Sequence, residues 1–99
     1  MAQDPVRVDS NHYNVEFEND RVRVLRVRYG AGEKSVMHGH PAGLAVALTD
    51  ADVRFGFPGG TSEDRQLKAG QVLWLPSEEH LPENTGNKAF EVVLVELKG

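Results

Sequence analysis

Turn-forming residues interrupt this chain every several positions, and no apolar pattern between them keeps a helical period beyond a single turn. The segments 13–17, 21–29, 44–48, 53–57, 65–68, 72–75, 80–84 and 90–97 are short, and most of them are rich in Val, Leu and Phe. Between them stand Glu18-Asn19-Asp20, Gly30-Ala31-Gly32, Thr49-Asp50-Ala51-Asp52, Pro58-Gly59-Gly60, Ala69-Gly70, Pro76 and Thr85-Gly86-Asn87-Lys88. About eight to ten strands with short connections predict an all-β antiparallel fold, a jelly roll or barrel. We read residues 1–14 as an N-terminal arm and 15–97 as the barrel. The parity break at Val24-Leu25 predicts a bulge or partial cover on both faces, and the apolar run 44–48 predicts a strand packed on both sides.

The chain has 99 residues, which suits one domain. Ordering it costs on the order of 100 kcal/mol of conformational entropy. Nearly all of its Val, Leu and Phe must therefore be buried, and oligomerisation would help. Small antiparallel barrels also leave strand edges that need cover, so a homodimer joined through the N-terminal strand is expected. A net charge of -4 and a pI near 5.5 argue against nucleic acid and anionic membrane as partners. The cluster Arg21, Arg23, Arg26 and Arg28 is interleaved with Val22, Val24, Leu25 and Val27 and reads as the solvated edges of one strand. No apolar run is long enough for a spanning helix, and residues 1–10 lack the apolar heart of a signal peptide, so a cytoplasmic protein is expected.

With no cysteine, a metal would have to be held by His, carboxylate or water. His38-Gly39-His40 is the motif that meets this need, because side chains two apart on a strand point to one face. His80 is the natural third donor, and three neutral imidazole nitrogens suit a divalent metal. An exposed pair on an edge strand is the competing reading. His12 sits in a polar arm and reads as surface decoration. Asn84 either orients an imidazole or a bound ligand, or starts the turn Asn84-Thr85-Gly86. Trp74, Phe55, Phe57, Phe90 and Met37 read as core or pocket wall. Glu91 and Glu96 lie five apart on the last strand and so face opposite ways, one of them into the barrel with Arg26 or Arg28 as its partner. Glu78 and Glu79 read as a charged loop beside the third histidine.

These residues resemble the cupins, small double-stranded β-helix barrels of the RmlC-like kind. The first cupin motif runs Gly, five residues, His-x-His, then three or four residues to a Glu; here Gly32 is followed by five residues and His38-Gly39-His40. The second has a Gly, five residues and a Pro, then a His and an Asn; here Gly70 and Pro76 are followed by His80 and Asn84. Two departures stand out. The motif-one glutamate falls at Leu44, or at Ala45, and we place it at Leu44. In motif two a Gly is replaced by Glu78 and the loop to His80 is one residue short.

The resemblance implies one divalent transition metal, iron, zinc, nickel or manganese, held by His38, His40 and His80. Leu44, Asn84, Trp74 and Met37 would lie around it. Three neutral ligands leave the metal's charge uncancelled, so the expected ligand is a small anionic or chelating molecule. The implied activity is of the dioxygenase type. A non-catalytic module that binds a small molecule is the alternative. Metal affinity is expected to weaken below about pH 6, because protonated imidazole, with a pKa near 6.5, cannot donate its lone pair.

Overall fold

The computed structural model describes residues 3–99. A single helical turn, α1 (Pro5–Val8), precedes nine strands. They are β1 (Tyr13–Glu18), β2 (Val22–Tyr29), β3 (His38–His40), β4 (Gly43–Ala47), β5 (Ala51–Gly56), β6 (Ser62–Leu67), β7 (Val72–Leu75), β8 (Glu78–Asn84) and β9 (Phe90–Leu97). They form two sheets, β1-β2-β9-β4-β7 and β3-β8-β5-β6, in which every strand pair is antiparallel. This is a jelly roll, one of the two architectures expected from the turn spacing, and it agrees with the double-stranded β-helix that the resemblance implies. Among the described residues no helix is long and apolar enough to cross a membrane.

The two sheets close on one core. Leu25, Val27, Tyr29, Ala45, Ala47, Phe90 and Leu94 meet Ala51, Val53 and Leu67 from the other sheet. Each large apolar side chain removed from water in this way contributes about 1.5–3 kcal/mol. Pairing of β2 with β9 runs without a break from Val22↔Leu97 to Tyr29↔Phe90. The irregularity expected near Val24-Leu25 sits on the opposite strand, where β1 bulges between Val15 and Phe17. Gly32 and Gly70 take the left-handed backbone that their turns require, at φ of 74° and 87°.

The arm is more built than its composition suggests. Asp4 caps α1 by accepting the Val6 N–H, Pro5 opens the turn and is buried, and β1 already begins at Tyr13.

Two expectations are corrected by strand parity. The run 44–48 is not packed on both sides: Ala45 and Ala47 face the core, whereas Leu44 is 38% exposed. Trp74 is 57% exposed and belongs neither to the core nor to a pocket wall. Both lie on the outer face of the five-stranded sheet. There a row of cross-strand neighbours, Phe17, Val24, Val95, Leu44 and Trp74, runs over all five strands.

Candidate metal centre

β3 lies beside β8 with His38 opposite His80 and His40 opposite Glu78. Alternation along each strand then turns all three imidazoles inward, where they are 0%, 5% and 3% exposed for His38, His40 and His80. Ring centroids are 4.8 Å apart for His38 and His40, 5.1 Å for His38 and His80, and 5.0 Å for His40 and His80. One nitrogen of each ring lies within 4.8 Å of the other two. The rings meet edge-on rather than stacked.

The other nitrogen of each ring is engaged. His40 Nδ1 lies 2.8 Å from Glu96 Oε2, His80 Nδ1 lies 2.9 Å from Glu78 Oε2, and His38 Nδ1 lies 2.8 Å from the Val36 carbonyl. A carbonyl or carboxylate oxygen can only accept, so each Nδ1 carries a proton, which directs Nε2 of each ring to the interior. Nε2 of His38 and of His80 is buried without a hydrogen-bond partner. A buried polar atom left so is uncommon and costs about 1–3 kcal/mol, which marks it as a group awaiting a ligand. The site thus presents three inward imidazoles, each with its Nδ1 held from behind, the arrangement found around metal-bound histidines.

Electrostatics points the same way. Burial, followed by the neighbouring imidazoles His40 and His80, pushes His38 down to a pKa of about 3. Burial and His40 push His80 down to about 4, against the opposing pull of Glu78. At neutral pH both rings are neutral and able to donate.

Glu96 is the inward carboxylate of the last strand, and its partner is Arg23 rather than Arg26 or Arg28. Register is the reason, since β2 places Arg23 opposite Glu96. Arg23 Nε lies 2.8 Å from Glu96 Oε1, and its two terminal nitrogens each lie 3.0 Å from Asp4. Burial raises the Glu96 pKa, but hydrogen bonds from His40 and Arg23 outweigh it and hold the carboxyl below its ordinary range. Glu91 faces outward, 3.4 Å from Arg26 and 3.7 Å from Arg28.

The remaining expected site residues divide. Asn84 is fully buried, but its Nδ2 faces the carbonyls of Tyr29, Gly30 and Lys88, and its Oδ1 accepts the Gly86 N–H. It ties two loops together and touches no imidazole. The inward position nearest the motif-one carboxylate is Ala45, with Leu44 turned to the outside. Met37 is half-buried and, like Leu44 and Trp74, lines neither cavity at the site. Glu78 is not loop decoration, because it lies on β8 and accepts from His80. His12 is not surface decoration either: it stacks on Tyr29 with centroids 4.3 Å apart and lies 2.8 Å from Asp9. Sequence reading missed Arg23, Ser35 and Asp9 as site residues, and it marked Glu96 only as one of two glutamates that could face inward. Glu96 carried a signal in its strand parity, and Glu78 in its two-residue spacing to His80.

Two cavities adjoin the histidines. A small interior one of about 60 Å³ is walled by apolar side chains including Ala45, Phe55, Leu75 and Val92, with His40 and His80 at its edge. A broad outer cleft of about 790 Å³ is lined by Asp4, Arg23, His40, Glu78 and Glu96 among others. The Tyr13 ring approaches His38 edge-on at 4.9 Å, and Phe55 lies 5.0 Å from His80.

Solved structures share this architecture. A cupin domain from Bordetella pertussis Tohama I is 28% identical, with a TM-score of 0.81, over 88% of this chain and 92% of that one. A double-stranded β-helix protein from Klebsiella pneumoniae is 22% identical, with a TM-score of 0.70, over 88% and 76%. The DMSP lyase DddQ from Ruegeria pomeroyi DSS-3 is 19% identical, with a TM-score of 0.65, over 92% of this chain and 49% of that one. No protein-family model matches the sequence, and no curated protein does. The chain thus has the cupin fold, a small double-stranded β-helix domain. Its three buried histidines form a cluster able to hold a metal ion.

Proposed function

We propose that this cupin binds one divalent transition metal through Nε2 of His38, His40 and His80, and acts on a small anionic or chelating metabolite as an oxygen-dependent enzyme. The carrying observation is the set of three inward imidazoles whose Nδ1 atoms all face acceptors, two of them with a buried, unpartnered Nε2. Iron, zinc, nickel and manganese all accept imidazole nitrogen. When bound, the metal would supply Lewis acidity and, if it is iron, a place for dioxygen and a substrate chelate. The chain's own residues orient all three imidazoles, and burial keeps His38 and His80 neutral. The apolar walls at Phe55, Leu75 and Val92 exclude water from the interior.

A non-catalytic small-molecule module is the second reading, and one observation favours it. The carboxylates nearest the histidines are already committed, Glu78 to His80 and Glu96 to His40 and Arg23. Neither is free to serve as a general base. Elemental analysis of protein purified without chelators, wild type beside His38→Ala, separates the readings. Iron at one per chain with oxygen uptake supports the enzyme. Zinc without turnover supports the module, and metal-free wild type that takes up none refutes both metal-dependent readings.

For the quaternary state we propose a homodimer. The exposed row Phe17, Leu44 and Trp74 on the five-stranded sheet supports joining across this face as well as along β1.

A further inference from the structure

We propose that the N-terminal arm, residues 3–12, is the positioning element of the histidine site, orienting His40 through Asp4, Arg23 and Glu96, and His38 through Asp9 and Ser35. The inference rests on the metal reading above. Three separate attachments from this short segment converge on the back of β3. First, the Gln3 carbonyl accepts the N–H of Gly39 at 2.8 Å, between the two histidines. The strand that carries both rings is thereby pinned from outside its own sheet pairing with β8.

Second, the Asp4 carboxylate takes two N–H groups of Arg23, at 3.0 Å each. This is the bidentate geometry that fixes a guanidinium plane. Arg23 Nε then donates to Glu96 Oε1 at 2.8 Å, and the other Glu96 oxygen accepts the His40 Nδ1 proton at 2.8 Å. Asp4 therefore sets where Arg23 lies, Arg23 sets the rotamer of a carboxylate that is 3% exposed, and that carboxylate aims the His40 ring.

Third, Asp9 accepts the hydroxyl proton of Ser35. A hydroxyl that donates to a carboxylate keeps its lone pairs available, and Ser35 Oγ lies 3.2 Å from His38 Nδ1, which it shares with the Val36 carbonyl. Asp9 is itself held by His12, which stacks on the buried Tyr29. The arm is thus docked at both ends, by Pro5 inside α1 and by His12 on Tyr29. His80 provides an internal contrast, since its Nδ1 partner Glu78 comes from its own strand and owes nothing to the arm.

The test is metal affinity of the full chain, measured by competition of Zn²⁺ and Co²⁺ against a chromophoric chelator. The absorption spectrum at saturating Co²⁺ and the apo-protein melting midpoint are recorded alongside. Asp4→Asn and Ser35→Ala are each expected to weaken affinity by about ten-fold, at the low end of what loss of a supporting partner costs. The Co²⁺ spectrum should change, and Asp4→Glu should recover part of the loss. A merely structural arm would lower the melting midpoint and leave the saturated spectrum as in the wild type. Ser35→Ala loses one hydroxyl and keeps the fold-bearing contacts, so it reads the inference even if Asp4→Asn melts early. Wild-type binding with unchanged affinity and spectrum in Ser35→Ala and Asp4→Asn overturns this inference alone. No binding by the wild type overturns the metal reading and this inference with it.

Discussion

The behaviour of the imidazoles departs from what free histidine would do. His38 and His80 are buried neutral, with pKa values pushed from the ordinary 6.5 to about 3 and about 4. Protons therefore compete at these two rings later on acidification than the pH 6 expected from an unperturbed imidazole. The same shift makes stability depend on pH. Between the unfolded pKa and the folded ones the unfolded chain binds more protons, so folding stability is full above about pH 6.5 and falls as pH drops toward 4 and then 3. Urea unfolding of the metal-free protein should lose a few kcal/mol, to order of magnitude, between pH 7 and 4. His38→Gln should flatten that slope, and an unchanged slope would refute the burial argument. Glu96 is the second residue to probe. Glu96→Gln leaves Arg23 and His40 without their shared buried anion, and should cost about 3 kcal/mol in denaturant unfolding.

Pairing decides the site among the elements. The two histidines of β3 owe their common direction to strand alternation, which was legible in His38-Gly39-His40. Their meeting with His80 depends on β3 lying beside β8 in one register, and a slip of one residue would send His80 to the outer face. Arg23 and Glu96 stand in the same relation through β2 and β9: parity alone exposed one inward glutamate, but not which arginine faces it. β4 is squeezed against β9 at Gly43, where an added Cβ would come 2.1 Å from the Val95 carbonyl oxygen. Gly43→Ala should therefore destabilise the fold by about 1–3 kcal/mol, with the melting midpoint as the readout. A neutral result would mean that β4 can shift away from β9 without cost.

At the scale of the whole molecule, the outer face of the five-stranded sheet is the feature left uncovered. Trp74, Leu44 and Phe17 stand exposed there, although apolar patterning read Trp74 as core or pocket wall. Trp74→Glu should shift a dimer toward monomer in sedimentation without altering metal content, because the indole touches no histidine. A wild-type monomer at micromolar concentration would remove the dimer.

Local rules of backbone and side chain determined most of the strands, where the chain turns, that no described helix exceeds one turn, and that His38 and His40 share a face. These are properties of neighbours along the chain, with periods of two residues and turn preferences acting over three or four. Tertiary structure alone decided that Ala45 rather than Leu44 looks inward, that Trp74 faces out, that Asn84 ties loops, and that Asp4, Arg23, Glu96, Ser35 and Asp9 stand behind the imidazoles. Those outcomes depend on register and on contacts between residues up to 73 positions apart, which become neighbours only when the two sheets close.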